Sequence, residues 1–273
     1  MLNKPLKHED IKSLINTVLN EDIQGGDITT RNIISKGQLC EAELIAKDPL
    51  VLSGLEIFKA LFQKLDSKTF FLSEPFNDGD YVAKGSTIIK FRSDCTKLLE
   101  GERSGLNILR WLSGIATLTQ KFVDKANPVT VLDTRKTTPG LRVFEKYAVC
   151  CGGGSNHRFG LYDAVMIKDN HIKASGGISS AVEKIRKALG NKSKVEVETQ
   201  NLDEVREALK QKVDIIMLDN MSIDSIYESV KVIDGKAIVE VSGGVNFERL
   251  EEISKTGVDF VSIGALTHSA PAV

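Results

Sequence analysis

Apolar positions along the chain fall into two rhythms, and the change between them divides the protein. Over residues 9–21, Ile11, Leu14, Ile15, Val18 and Leu19 recur at helical spacing and predict an amphipathic helix. The next stretch, EDIQGGDITT (residues 21–30), is broken by glycines and reads as a loop. From Cys40 to Asp94 the segments CEAELIAK, PLVLSG, TFFLSE and STIIKFRS read as strands, with one helix, LEIFKALFQKL, among them. Asp78-Gly79 and Lys84-Gly85 mark turns. A long helix is expected over residues 104–126, with Leu106, Leu109, Leu112, Ile115 and Phe122 on its apolar side. Gly105 and Gly114 weaken that helix by about 1 kcal/mol each against alanine. Strands followed by a long helix indicate an α+β layered domain.

Beyond residue 128 short apolar runs alternate with helical segments. The runs are VTVLD (129–133), AVMIK (164–168), VEVE (195–198), IIMLD (215–219), AIVEVS (237–242) and FVSIG (260–264). Amphipathic helices are expected near residues 179–189, 202–211, 222–232 and 246–256, the last starting at Asn246 and stopping at Gly257. Such alternation predicts parallel strands, in an α/β barrel or a doubly wound sheet. The strands end in Asp133 (with Arg135 and Lys136 just after), Lys168, Glu198, Asp219, Ser242 and Gly264. A barrel gathers its C-terminal strand ends at one mouth, whereas a doubly wound sheet spreads them along an edge, so the series favours a barrel. Six strands rather than eight make it an open, incomplete one. The expected division is an N-terminal α/β sandwich domain over residues 1–115 and an α/β barrel catalytic domain over 116–273, with the extreme C-terminus packing back on the first.

Charge then narrows the chemistry. The 273 residues carry 36 Lys+Arg against 37 Asp+Glu, so nothing global points to nucleic acid or membrane, and any anion site is local. Cys40, Cys95, Cys150 and Cys151 fit neither a disulfide framework nor a metal knuckle. The start, MLNKPLKHEDIK, lacks the apolar region of a signal peptide, and the expectation is a cytoplasmic protein. The local concentration of charge lies in residues 132–171, where Arg135, Lys136, His157, Arg158, Lys168 and His171 surround Gly152-Gly153-Gly154. Cations gathered around glycine turns suggest a pocket for a multiply charged anion. Glu198 and Asp219, carboxylates on consecutive strands with no sulfur or paired histidine nearby, suit Mg²⁺ completed by a substrate phosphate. The same two carboxylates could equally pair with Lys168 or Lys136. Ser242-Gly243-Gly244 and Ile263-Gly264-Ala265 are glycine turns after the last two strands, a frequent phosphate site in barrels. Spacing reaches an enzyme acting on a phosphoribosyl or similar substrate and stops short of its second substrate.

Eight segments resemble the quinolinate phosphoribosyltransferase family, also called carboxylating nicotinate-nucleotide pyrophosphorylase. They are EDIQGGDITT, ERSGLNILRWLSGIATLT, LDTRKTTPGLRVFEKYAV, CGGGSNHRFGLYDAVMIKDNHI, VEVE, DIIMLDN, SGGVN and VSIGALTHSAPAV, in order along almost the whole chain. The resemblance implies an N-terminal α/β sandwich with an open α/β barrel. It also implies a reaction joining quinolinate to 5-phosphoribosyl-1-pyrophosphate, with loss of pyrophosphate and CO₂, to give nicotinate mononucleotide for NAD synthesis. Carried onto this sequence, it implies that Arg135, His157, Arg158 and Lys168 line the quinolinate site, joined by Arg103 from the other subunit of a homodimer. Lys136 and Lys168 would meet the pyrophosphate or ribose side, with Thr134 supplying a hydroxyl. Glu198 and Asp219 would hold the ribose hydroxyls and Mg²⁺, and the loops at 242–244 and 263–265 the 5-phosphate. Lys136, Lys168, Glu198 and Asp219 are thus the expected catalytic residues. Two departures stand out: Cys150 replaces a residue often basic or aliphatic in the family, and the sequence ends at Val273, short of the tail common there.

Two other readings compete. A molybdenum-transport-associated group of the same fold tends to carry an aromatic-containing FxNH-like segment where this chain has Lys168-Asp169-Asn170-His171, which favours the quinolinate enzyme. Residues 77–91, NDGDYVAKGSTIIKF, resemble the hairpin turn of lipoyl and biotinyl carrier domains. The modifiable lysine those modules need in a second hairpin has no counterpart, so a barrel-like sheet corner is the better expectation.

Overall fold

The alternation read from residues 40–94 becomes a small antiparallel sheet with one face covered. In the computed structural model, which describes residues 6–190 and 193–273, helix α1 (His8–Asp22) buries Leu14, Ile15 and Leu19 and is followed by the short α2 (Thr30–Ile33). The first five residues, part of the stretch read for a leader, lie outside the described residues. Strands β1 (Leu39–Ile45), β2 (Leu50–Val51), helix α3 (Leu55–Leu65), β3 (Phe70–Ser73), β4 (Tyr81–Val82) and β5 (Thr87–Asp94) come next. β5 is central in the order β1-β5-β3, all antiparallel, while β2 pairs with β4. The carrier-like turn is therefore a sheet corner, and Asp78 within it accepts the N–H groups of Gly54 and Leu55 that open α3. Phe58 and Phe62 of α3 pack against Phe91 of β5, the first edge-on and the second tilted, with ring centroids 5.8 and 4.7 Å away, as the core of this layer.

Helix α4 (Cys95–Ala126) is 32 residues long and begins nine residues earlier than the expected start at 104. Its N-terminus is set by Asp94, the last residue of β5, whose carboxylate accepts the N–H groups of Thr96 and Lys97. Gly101 and Gly105 are the reason the helical pattern fades there. A Cβ on Gly101 would lie 2.6 Å from Leu65, and one on Gly105 would lie 3.0 Å from Phe58, so glycine lets α3 lie close against α4. The cysteine expectation also needs correcting: Cys40 and Cys95 form a disulfide, with Cα atoms 5.0 Å apart. β1–β5 pairing sets Cys40 opposite Ser93, and the turn into α4 brings Cys95 alongside, a proximity that a 55-residue separation conceals.

The six parallel strands β6 (Thr130–Leu132), β7 (Val165–Ile167), β8 (Val195–Thr199), β9 (Ile215–Asp219), β10 (Ile238–Ser242) and β11 (Phe260–Ser262) follow the expected positions. Their order is β6-β11-β10-β9-β8-β7, and among the described residues β6 and β7 do not pair with each other, so the barrel is open. Helices α5 (Arg142–Cys151) and α6 (Asp169–Ser175) come before and after β7 and were not expected from periodicity. α7 (Ile178–Leu189), α8 (Leu202–Lys210) and α9 (Ile223–Ile233) match the amphipathic segments, with Asn201 and Ser222 capping α8 and α9. α10 (Leu250–Ser254) is shorter than the 246–256 expected: Asn246 accepts the Arg249 N–H and closes a turn before the helix begins. The short α11 (Ala265–His268) follows β11.

Strand alternation sorts the side chains. Val195, Val197, Ile216, Leu218, Val239 and Val241 are buried on the helix-facing side, while Glu196, Glu198, Met217, Asp219, Glu240 and Ser242 take the opposite face. By compactness the chain divides into residues 6–120 with 138–153 and 269–273, and a barrel unit of Lys121–Thr137 with Gly154–His268. The division falls inside α4.

Gly114 has a sharper steric role than helix propensity indicates. A Cβ there would sit 2.1 Å from the Pro271 carbonyl oxygen, in a tail that Arg110 holds through Val273. Gly114→Ala should lower stability by about 1–3 kcal/mol through overpacking. In a chain lacking residues 269–273 the same change should raise stability by about 1 kcal/mol through helix propensity. Chemical denaturation of the four proteins checks this reversal of sign.

Candidate active site

The residues that end the barrel strands share one pocket of about 690 Å³. It is lined by Thr134, Arg135 and Lys136 after β6, His157 and Arg158 before β7, Lys168 after β7, Glu198 on β8 and Asp219 on β9. Ser242 at the end of β10 with Gly243 and Gly244 after it, and Ile263, Gly264 and Ala265 after β11, line it as well. Arg103 is placed elsewhere: it lies on α4 beside Asn107 and Trp111, in a hollow of about 340 Å³ within the first unit. Cys150 is on α5 and is not among the described residues that line the pocket.

Two members of the basic stretch have other work. His171 caps α6, its Nδ1 accepting the Lys168 backbone N–H at 3.0 Å. Gly152 ends α5 where a Cβ would meet the Ala116 carbonyl at 2.3 Å, so that glycine serves close packing rather than anion binding.

The four Lys and Arg side chains of the lining outnumber its two carboxylates. Lys168 Nζ donates to Glu198 at 2.6 Å, and Asn220 Nδ2 donates to Asp219 at 2.9 Å. Burial, together with the like charge of Arg135, pushes Arg158 below its ordinary value. Crowded guanidiniums of this kind are relieved by a dianion, which both can grip bidentately. Lys136 is steadied through its backbone, since Thr267 donates to its carbonyl at 2.7 Å and its own N–H donates to the Thr134 hydroxyl at 3.0 Å. Gly264 leaves room for the Lys136 stem, which a Cβ would meet at 2.9 Å.

On the other side of the mouth the backbone turns sharply. Gly243 and Gly244 have φ of +78° and +57°, and a Cβ on Gly243 would lie 2.5 Å from the Asn220 side chain. Arg249 ties this loop, donating to the carbonyls of Met221 at 3.1 Å and Gly244 at 3.4 Å. Successive N–H groups in such turns form a concavity suited to phosphate.

Beneath the pocket is a charge arrangement that sequence reasoning missed. His157 Nε2 lies 3.4 Å from Glu196 and 3.5 Å from Glu240, carboxylates only 4% and 1% exposed. These ligand atoms fall within 4.8 Å of one another, a spacing that could also seat a cation. Burial alone would push His157 down, but hydrogen bonds to the two carboxylates and their charge push it up to about 10. The Arg158 peptide N–H faces Nδ1 at 2.6 Å and opposes a proton there. The two carboxylates, 3.4 and 3.5 Å from Nε2, favour the protonated ring by hydrogen bonding and charge, against that one peptide dipole. Burial pushes Glu196 up, against its bond to His157. The signal was present in the sequence: Glu196 shares a strand face with Glu198, and Glu240 interrupts the apolar run of β10. Asn220, Met166, Met217, Val245, Ser262 and His268 also line the pocket without having been singled out.

An open α/β barrel with a basic pocket and glycine turns at its strand ends defines an enzyme that handles multiply charged anions. The chain belongs to the quinolinate phosphoribosyltransferase family: residues 27–113 match its N-terminal domain and residues 115–273 its C-terminal domain. A Bacillus subtilis protein named "Probable nicotinate-nucleotide pyrophosphorylase (carboxylating)" is 42% identical over 270 residues, covering 98% of this chain and 93% of that protein. The Nicotiana tabacum protein named quinolinate phosphoribosyltransferase (decarboxylating) 1b is 40% identical over 291 residues, covering 99% of this chain and 83% of its own. The crystal structure of NadC from Streptococcus pyogenes superposes with a TM-score of 0.95 at 39% identity, covering 99% of this chain and 96% of that one. The region considered for a carrier module thus belongs to this family's N-terminal domain. Among the described residues no helix is long and apolar enough to cross a membrane.

Because the folded value of His157 is raised, its contribution to stability is full below about 6.5 and is lost as pH rises through about 10. The ring resonances of His157 should keep imidazolium shifts at pH 8, and a neutral ring there would overturn the triplet. His157→Gln leaves two buried carboxylates without their cation and should cost about 3–5 kcal/mol at neutral pH. Denaturation of wild type and variant across pH 6–10 should show the gap narrowing as the pH climbs.

Proposed function

We propose that this enzyme transfers the phosphoribosyl group of 5-phosphoribosyl-1-pyrophosphate to quinolinate and decarboxylates it, giving nicotinate mononucleotide, pyrophosphate and CO₂. The observation that carries the reading is one pocket in which four cationic side chains face two strand-end carboxylates and two glycine turns. Arg135, Arg158, His157 and Lys168 suit the adjacent carboxylates of the pyridine, and guanidinium forks fix the ring's orientation. The turns at 242–244 and 263–265 suit the 5-phosphate, and Thr134 and Lys136 the pyrophosphate or ribose side. Glu198 and Asp219 offer hard oxygen donors of the kind Mg²⁺ takes alongside a substrate phosphate, and Glu198 is exchangeable because its partner is the flexible Lys168. Bound there, Mg²⁺ would supply charge neutralisation of the pyrophosphate.

The chain's residues act by holding and by charge. Glu198 and Asp219 orient the ribose hydroxyls, and Lys136 and Lys168 stabilise pyrophosphate as the anomeric carbon gains oxocarbenium character. The pyridine nitrogen attacks that carbon as pyrophosphate leaves, and the resulting pyridinium stabilises the electron pair left on the ring carbon when the adjacent carboxylate departs as CO₂; a proton from solvent then bonds to that carbon and completes the product. No side-chain nucleophile is called for. Arg103, placed in the first unit, would serve the site of a second copy in a homodimer, and the enzyme would work in the cytoplasm.

Protein supplied with quinolinate, phosphoribosyl pyrophosphate and Mg²⁺ should release CO₂ and form nicotinate mononucleotide. Equal activity on nicotinate, or none on quinolinate, would sink the assignment. Lys168→Ala should lose about 10²–10³ in turnover as a positioned charge is removed. Arg103→Ala should be inactive by itself as well. Random exchange of these two variants should restore roughly a quarter of wild-type activity if each site draws on both subunits of a twofold dimer. Verified heterodimers without recovery would count against a shared site.

A further inference from the structure

The open side of the barrel raises a question of positioning, because His157 and Arg158 enter the pocket from a segment that belongs to none of the six strands. This segment starts along β6. Ser155 bridges Leu132, its N–H donating to the Val131 carbonyl at 2.9 Å while the Asp133 N–H donates to the Ser155 carbonyl at 3.1 Å. Beyond Ser155 the ladder stops and a side chain takes over. Asp133, wholly buried, accepts the His157 backbone N–H on one carboxylate oxygen at 2.9 Å and the Asn156 Nδ2 on the other at 2.7 Å.

We propose that Asp133 is a positioning residue of the active site, holding Asn156–Arg158 in register on the barrel's open side so that the His157 ring and Arg158 guanidinium face the substrate dicarboxylate. The proposal rests on the pocket reading given under Proposed function. Asp133 is not among the described side chains that line the pocket, so it acts through its neighbours.

The geometry explains why a carboxylate stands here. Its two oxygens accept from donors of different kinds on successive residues, one backbone and one side chain, and a slip of the segment would part them. The far end of the His157 ring is anchored by Glu196 and Glu240, and Asp133 anchors its backbone end. With both ends held, the ring cannot pivot, and Arg158, one residue further along, is aimed by the same hold. If the backbone anchor is removed, the carboxylates still draw the ring, but the Arg158 lever loses its fulcrum. Polar recognition fails when such groups stray by about 1 Å.

Steady-state kinetics of the full chain provide the test. Asp133→Ala should raise KM for quinolinate by about 10–100-fold while KM for phosphoribosyl pyrophosphate stays within about twofold, as misplacement confined to one substrate's ligands requires. Asp133→Asn should recover most of the loss, since its carbonyl oxygen can accept the His157 N–H while the Asn156 amide turns to accept from its NH₂. Asn156→Ala, which leaves the backbone bond in place, should move the same KM in the same direction by a smaller factor. Hydrogen exchange at the His157 amide should be slow in wild type and Asp133→Asn and fast in Asp133→Ala. Equal shifts in both KM values, no shift, or an asparagine variant no better than alanine would overturn the proposal. Should the wild type fail to turn over quinolinate, the substrate reading falls, and the clamp is judged by His157 amide exchange. Unchanged protection in Asp133→Ala then overturns it.

Discussion

Two carboxylates buried inside the barrel, Glu196 and Glu240, share one imidazole, and the arrangement of the mouth depends on that triplet. Carboxylates so little exposed need a cation, hydrogen bonds or a proton to offset the loss of water. His157 supplies the cation, and meeting that need fixes where its backbone must lie. Arg158 follows by covalent connection. The position of a guanidinium in the pocket is thus a consequence of an electrostatic requirement beneath it.

The openness of the barrel turns this requirement into a device. A closed barrel would place a strand beside β6, with its residues in register through ladder hydrogen bonds. Here, among the described residues, Ser155 bridges the open edge of β6, and Asp133 continues the pairing with side-chain oxygens. Irregular backbone can therefore carry His157 and Arg158 to the mouth at an angle no strand would allow. The glycine turns after β10 and β11 line the same pocket. The two kinds of lining suit different parts of a substrate pair: guanidinium forks a dicarboxylate, and glycine turns a phosphate.

Much of this was legible along the chain. The six barrel strands declared themselves as short apolar runs ending in a chemically distinctive residue, because a parallel strand buried on its helix face and opening at its C-terminal end must be written that way. Fourteen of the expected site residues meet in one pocket for the same reason. What escaped followed from non-local geometry. The Cys40–Cys95 bridge needs the β1–β5 register to be seen. The start of α4 was hidden by glycines that serve contact with α3, and His171 resembled an anion ligand until its ring was found capping α6.

By itself the sequence determined the succession of elements, the identity of the strand-end residues and, through motif resemblance, the family, because periodicity and strand-terminal chemistry are local properties written in order. Tertiary structure alone decided which charges neutralise one another. That Glu196, Glu240 and His157 form one triplet, that Asp133 reaches past its own strand to hold Asn156 and His157, and that Arg135, Lys136, Arg158 and Lys168 line one barrel mouth all depend on distances between residues 23 to more than 80 apart in the chain. Coulombic and hydrogen-bonding energies depend on separation in space, and only the fold sets that separation.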